Sequence, residues 1–498
     1  MIRDIDRLSK GQYDLLIIGA GINGAAIAHM AALNGLKTAL LEKGDFASGT
    51  SSKSTKLVHG GLRYLETFEF GLVREALKER TIQLRSAPHL VKPLGFILPI
   101  YKTDKRPFWM MKFGVWFYDL LSSKYLIKKH KVLSVQEVIE HVPEIKIEDL
   151  HGGILYYDGQ MDDARLALEN VLMADQLGAH ASNYVEVTAL NKESGRVIGV
   201  SAKDLITRKS YSIQAKKIVC TLGPWSNLFL EREESQAPFK ARTTKGIHLV
   251  YRGKVSEHAL IIPTQKDGRV FFVIPWMENS LIGTTDTDFK GHPDDVPVDE
   301  EDIDYIFSEA RSVFPNATFK QEDIITTFAG LRPLVFEERA PSRISRKHVI
   351  QESNDGVTYV MGGKYTTYRK IAEECISRFV DGKPVDTESE FKLYGSGEIE
   401  EDSLRVAEDY NLNQATVEYL MGLYGFRYKD VLKLIDKDPQ LREPICLCSP
   451  IIRAQVVYSI EIEMARKDVD IIQRRLSLGY SECKTGKCRE VIRQYIKN

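Results

Sequence analysis

The sequence predicts an α/β fold: a parallel-sheet nucleotide domain, a second antiparallel layer and a helical C-terminal domain. Three observations predict it. Residues 14–45 read as strand, glycine turn, helix and strand. Two further apolar strands, within 216–227 and 359–374, end in glycine turns of the same kind. From about residue 390 the apolar spacing becomes helical, with charged residues between.

The first element is DLLIIGAGINGAAIAHMAALNGLKTALLEKGD. Leu15 to Ile18 is a short, fully apolar run, the pattern of a strand buried on both faces of a parallel sheet. Gly19, Gly21, Asn23 and Gly24 interrupt it. That excludes a membrane span, which needs about 20 uninterrupted apolar residues. Ala25 to Leu33 is free of breakers and reads as helix. Thr38 to Leu41 reads as a second strand, closed by the acid Glu42. The G-x-G-x-x-G spacing gives each glycine a task. Gly19 allows the tight turn, Gly21 lets the backbone approach a pyrophosphate, and Gly24 lets the helix pack close to the strand. Free N–H groups and the dipole at the helix N-terminus favour phosphate charge. Glu42, 18 residues beyond Gly24, is placed for a ribose diol. It would repel a 2′-phosphate, which disfavours NADP.

Composition bounds the rest. The chain has 498 residues, room for two or three domains. A hydrophobic content of 43% and a charged content of 28% are ordinary for a globular protein. A net charge of −1 gives no sign of a nucleic-acid partner. MIRDIDRLSK carries mixed charge and no apolar core, so no secretory signal is expected, and no segment qualifies as a transmembrane helix. Cys446 and Cys448, and Cys483 and Cys488, are spaced C-x-C and C-x4-C, poor spacing for a metal. No metal site is expected, and the thiols are read as reduced.

The stretch FASGTSSKSTKLVHGGLRYLE, residues 46–66, replaces the helix that a plain NAD fold would place here. Ser51, Ser52, Ser54 and Thr55, with Gly60 and Gly61, offer hydroxyl and backbone donors to a long polar ligand. KKIVCTLGPWSN runs into Gly223, and YVMGGKYTTYRKIAEE into Gly362, Gly363 and a helix near Thr366. Three glycine turns at distant strand ends suit one extended cofactor lying across one sheet.

The nucleotide domain is expected at 1–95, 150–240 and 325–385, and the second layer at 96–149 and 241–324. Within 268–289, two strand-like runs flank a Glu-Asn turn. Residues 390–498 form the helical domain, and the charge clusters at 404–436 and 450–476 are read as solvated helix faces. Residues 106–131 crowd Trp109, Phe113, Trp116, Phe117 and Tyr118 among basic residues. That suits either an interfacial membrane contact or a core helix under the second layer.

The motifs GAGINGAAIA, TSSKSTKLVHGGLRYLE, YDGQMDDARL, TLGPW, FVIPW, GTTDTDF, GLRPL and GGKYTTYRKIAE run in order from residue 14 to about 374. On them the chain resembles the FAD-dependent glycerol-3-phosphate dehydrogenases. The tail is shorter than in many members, and Cys220 and Leu222 depart from the family's residues at the second turn. The resemblance implies a Rossmann-like FAD-binding domain of glutathione-reductase/D-amino-acid-oxidase type, with an antiparallel substrate domain and an α-helical C-terminal domain. It implies oxidation of sn-glycerol 3-phosphate to dihydroxyacetone phosphate, with hydride passing from C2 to flavin N5 and electrons on to a membrane quinone. The enzyme would be cytoplasmic and peripheral to the inner face of the cell membrane, with a homodimer possible.

This chemistry needs arginine forks for the phosphate, a base for the C2 hydroxyl proton and a positive field for the reduced flavin. The resemblance places phosphate binding on Arg63, Tyr64 and Arg346, and the C2 oxygen on Arg332 and Lys364. For the base, His248 and His59 are candidates; Arg332 could instead hold the alkoxide electrostatically. The helix after Lys364 would direct its N-terminal dipole at the reduced flavin. Cofactor contacts are expected at Gly19, Gly21, Gly24, Glu42, Ser51, Ser52, Ser54, Thr55, Gly60, Gly61, Gly223, Gly362, Gly363 and Thr366. Two other readings stay open: an oxidase passing electrons to O2 with release of H2O2, and a non-catalytic flavin-binding protein.

Overall fold

Gln12–Ile18 is the central strand of the first sheet, as its apolar run demands: Leu15 to Ile18 are all buried. Thr38–Leu41 pairs with it on one side and the end of Ser210–Cys220 on the other, both parallel. His180–Ser182 and Val357–Gly362 extend the parallel set, and His348–Glu352 closes one edge antiparallel. The computed structural model describes residues 1–65, 68–234, 240–264, 269–315, 319–336, 348–382, 384–385, 387–447, 449–482 and 486–497. On one face of this sheet the glycine-turn helix Ile22–Leu33 packs with Asp163–Gln176 and Tyr368–Ile376. An antiparallel meander, Val185–Glu193, Arg196–Asp204 and the start of Ser210–Cys220, covers the other. With both faces covered, the strand ends are where a ligand enters.

The second sheet runs, in spatial order, through Ala241–Tyr251, Asn279–Gly283, Val270–Trp276, Ala259–Pro263, Val91–Tyr101 and Leu150–Met161. Only the Ala259–Pro263 pairing with Val91–Tyr101 is parallel along this path. Ile324–Val335 pairs along nearly the whole of Ala241–Tyr251. One face packs on helix Glu300–Val313 through Ile306, Phe307 and Ala310. The other carries Phe70–Ser86 and Phe108–Ser122 through Val73, Leu77, Val115 and Tyr118.

This redraws the expected division at four strands. Leu57–Val58, the start of Val91–Tyr101, Leu150–Met161 and Ile324–Val335 are expected in the nucleotide domain but belong to the second sheet. A strand buried on both faces carries no local mark of which sheet it joins; distant pairing decides. The hairpin within 268–289 turns at Met277–Glu278 rather than at Glu-Asn. Trp276 pairs with Asn279, and Met277 adopts φ 54°.

The C-terminal helices Ser403–Tyr410, Gln414–Tyr424, Tyr428–Lys437, Arg453–Glu461 and Gly486–Lys497 enclose their own core around Val417, Leu420, Val431 and Val456. Two expectations fail here. The charges of 450–476 do not all face solvent: Glu463, Asp470, Arg474 and Arg475 are buried. Helical spacing displays a charge but not the distant partner that satisfies it. Cys488 is in a disulfide, and Cys220 and Cys375 are free thiols.

Candidate active site

The three glycine turns meet at the strand ends of the first sheet. Gly19 has φ 98°, and a Cβ there would stand 2.9 Å from the Thr221 carbonyl oxygen. Thr221 ties the second turn to the first: its N–H donates to Ile18 O at 2.9 Å and its hydroxyl to Gly19 O at 2.8 Å. Asn23 ties in the third, its side-chain amide donating to Gly362 O at 3.3 Å. Beneath them, a Cβ on Gly24 would lie 1.9 Å from Gly19 O, so only glycine lets the helix sit this close.

A cleft of ≈ 1920 Å³ runs from these turns into the space below the second sheet. At one end Glu42 is half-buried, Oε2 accepting from Ala20 N–H at 2.7 Å and Oε1 from Gly44 N–H at 2.8 Å. Burial nonetheless raises its carboxyl pKa above the usual range. Gly19, Gly21, Gly223, Gly362, Gly363 and Thr366 line the middle. Ser51 lines it too, but its hydroxyl accepts the first helical N–H, from Ile22, at 2.8 Å. It caps the glycine-turn helix.

The other hydroxyls of the loop do different work. Ser52 is buried behind the wall and does not line the cleft. Ser54 lines it and donates both N–H and Oγ–H to Asp163, at 3.1 and 2.7 Å. Thr55 Oγ lies 3.0 Å from His248 Nε2. Gly60 is packed behind Gly61, where a Cβ would meet Tyr118 Oη at 2.3 Å. Its N–H donates to Asp158 at 3.2 Å.

At the far end the cleft gathers His59, Tyr64, His248, Arg332 and Lys364. Lys364 Nζ stands 3.6 Å from the Tyr64 ring centroid. Arg332 extends over Gly246, where a Cβ would be 2.3 Å from Nη2. Its guanidinium is aimed by Asp286 Oδ1 at 3.2 Å, Thr285 O at 3.2 Å and Thr284 Oγ at 3.0 Å. Gly246 and His248 share one face of the strand, so Arg332 and His248 are neighbours. His248 stacks on Phe328 with centroids 5.0 Å apart. Burial first, then Arg332 and Lys56, push its pKa down to about 3. Burial likewise holds His59 down to about 4. Both rings are neutral at neutral pH. Arg63 lies in the helical turn Leu62–Leu65, its side chain outside the described set, and Arg346 lies outside the described residues.

Several lining residues escaped the sequence reading. Tyr184 to Val187 form the wall beside Glu42, Trp225 flanks the second turn, and Arg269 and Asp286 stand near Arg332. The motifs TLGPW and GTTDTDF carried Trp225 and Asp286 in plain view, but nothing in their spacing says which side chain faces inward.

The cradle fits FAD. Crowded, Cβ-free turns admit a pyrophosphate beside a helix N-terminus, and the cleft continues beyond them to a cation-lined end. Known proteins agree. Residues 14–369 match the family described as FAD dependent oxidoreductase, and 387–495 the C-terminal domain of alpha-glycerophosphate oxidase. A glycerol-3-phosphate dehydrogenase of Synechocystis sp. is 38% identical over 96% of this chain and 91% of its own. The mitochondrial glycerol-3-phosphate dehydrogenase of Rattus norvegicus is 36% identical over 95% of this chain and 68% of its own. The structure of glycerol-3-phosphate dehydrogenase from Bacillus halodurans, complexed with FAD, superposes with a TM-score of 0.82 at 31% identity. It covers 99% of this chain and 91% of that one. The chain therefore belongs to the FAD-dependent oxidoreductase family, among its glycerol-3-phosphate dehydrogenases.

Proposed function

We propose that this chain oxidises sn-glycerol 3-phosphate to dihydroxyacetone phosphate and passes the electrons to a quinone at a membrane surface. One observation supports the chemistry: Arg332, a stacked Lys364–Tyr64 pair and a buried His248 line the same cleft as the third glycine turn. FAD, when bound, supplies the two-electron acceptor for the C2 hydrogen.

The protein supplies charge and proton handling. Arg332 and Lys364 hold the C2 oxygen and favour its alkoxide. Tyr64, with Arg63 and Arg346, holds the phosphate. Neutral His248 takes the C2 hydroxyl proton, with His59 the second candidate. A base held down to about 3 is weak. A phosphate dianion offsets the field of Arg332 and Lys56, the lesser causes of that depression, and so raises the imidazole; burial, the larger cause, stays.

Support for the quinone comes from helix Phe108–Ser122. One face of it, Val115 and Tyr118, is core under the second sheet, while on the other Trp109, Phe113 and Trp116 are 70%, 60% and 49% exposed. Lys105, Arg106 and Lys112 flank them. Arg106 and Met111 also line the cleft, so the same segment joins the reactive end to an apolar surface. Among the described residues no helix is long and apolar enough to cross a membrane. The exposed aromatics beside basic residues support our reading of this face as a peripheral membrane contact on the inner leaflet. The oxidase reading has one observation in its favour, the description of the C-terminal family.

An anaerobic titration tests substrate and cofactor together: glycerol 3-phosphate bleaches the flavin band. No bleaching sinks the substrate assignment. Reoxidation by a ubiquinone or menaquinone analogue, much faster than by air, supports the quinone; fast oxygen uptake with peroxide release would establish the oxidase instead.

A further inference from the structure

We propose that the C-terminal domain builds part of the FAD site, its Arg474 and Arg475 gripping Asp45 and thereby fixing the loop that shapes the Glu42 end of the cleft. Asp45 follows Glu42 by three residues and is fully buried. Both of its oxygens are saturated. Oδ1 accepts from Arg475 Nη2 at 2.8 Å and from Asn183 Nδ2 at 3.0 Å. Oδ2 accepts from Arg475 Nη1 at 2.8 Å and from Arg474 Nε at 2.7 Å. The fork of Arg475 is two-pronged, the geometry that positions as well as attracts.

The two adjacent arginines end a π-turn, Ile471–Arg475, a widened helical turn of the kind found at functional sites. The cations are anchored behind. Arg474 Nη2 donates to Asp470 at 2.7 Å, and Arg475 Nη2 to Glu463 O at 2.9 Å. Glu463 in turn accepts from Arg165 Nη1 at 2.5 Å.

The grip reaches the cleft by two routes. Gly44, next to Asp45, gives its N–H to Glu42 and its carbonyl to the N–H of Tyr184 at 2.9 Å. Tyr184, a cleft-wall residue, gives its hydroxyl to Asp470 at 2.8 Å. Asn183 bridges Asp45 and Met464 O, the latter at 2.9 Å. Both walls beside Glu42 are thus tied to one arginine pair from the far end of the chain. Arg474 and Arg475 are positioning residues: they touch Asp45, not the ligand. The inference rests on FAD occupying this cleft with its adenosine half beside Glu42.

The experiment titrates apoprotein with FAD by flavin fluorescence and with ADP in competition. In Arg475→Met the FAD Kd rises at least tenfold, and the ADP Kd rises with it. At saturating FAD the KM for glycerol 3-phosphate stays unchanged. Arg475→Lys keeps the charge without the fork; it keeps the variant folded if Met does not, and shows a smaller rise of the same kind. A folded variant, by circular dichroism and gel filtration, with wild-type FAD Kd and only a lower thermal midpoint overturns the proposal and leaves a merely structural pair. A rise for FAD without one for ADP overturns the adenosine placement and the inference with it. Wild-type protein that takes up no FAD sinks the cofactor reading first.

Discussion

Replacing Trp109 and Phe113 together by serine is the sharpest test of the proposed membrane contact of helix Phe108–Ser122. Their exposures are 70% and 60%. An aromatic side chain buries about 200 Å², and apolar area removed from water is worth about 25 cal/mol per Å². Full transfer of the exposed parts into lipid is then worth about 6 kcal/mol at most, and insertion only to the headgroup boundary about half of that. A loss of about 3 kcal/mol is a drop of about 100-fold in partition coefficient. Neither side chain lines the cleft. Sedimentation with vesicles of mixed phosphatidylglycerol and phosphatidylcholine reads the partition directly. The double variant stays in the supernatant, reduces a water-soluble dye at the wild-type rate, and loses quinone reduction in vesicles. If it sediments like the wild type, the face is not the docking surface and the argument from exposed area fails.

Other outcomes follow from the same structure. Under the role proposed for Arg332 at the substrate oxygen, Arg332→Ala loses turnover by about 100-fold or more while FAD stays bound; normal turnover would remove that role. Gly24→Ala puts a methyl 1.9 Å from Gly19 O and forces helix from strand, so FAD retention on gel filtration collapses. Gly114→Ala, with nothing within 4 Å, is neutral or stabilised by up to about 1 kcal/mol, and equal damage at both sites contradicts the close-packing account. Burial holds His29 down to about 4 and His248 to about 3, against an ordinary 6.5. The unfolded chain therefore binds these protons first as pH falls, and stability drops from about pH 6.5 toward 4. Between pH 7 and pH 5 the cost is about 2 kcal/mol per histidine at most. Urea titration of apoprotein at the two pH values measures it; a flat result refutes the burial of neutral rings.

Much of the site was legible because its residues are constrained by backbone geometry. Gly19, Gly24, Gly362 and Gly363 are glycines for local reasons, positive φ or contact within one turn, and local reasons leave a local pattern. The same holds for Glu42 at its strand end. Ser51 shows the limit. Its place in a polar loop marked it as a cleft-lining residue, which it is, but gave no sign that its hydroxyl also accepts Ile22 N–H and caps the helix. Ser52 shows it again, turned away from the cleft. Which hydroxyl faces the ligand depends on how the loop lies against a helix, and no spacing records that. Arg332 was recognisable from its motif, but its aim comes from Asp286 and Thr284, and its space from Gly246 on a partner strand.

The chain's order of residues, taken alone, settled the nucleotide turn, the helix behind it, the acid after the second strand and the helical character of the tail. Each is dictated by neighbours within a few positions, through steric freedom, periodicity or a capping preference. Tertiary folding decided which sheet the long strands join, which histidine sits beside Arg332, and where the charges of the tail are spent. Asp45 and Arg475 stand 430 positions apart, and each looks like an ordinary surface charge until the chain closes and excludes water from both. A buried ion pair is stable only as a pair, so neither member can announce it.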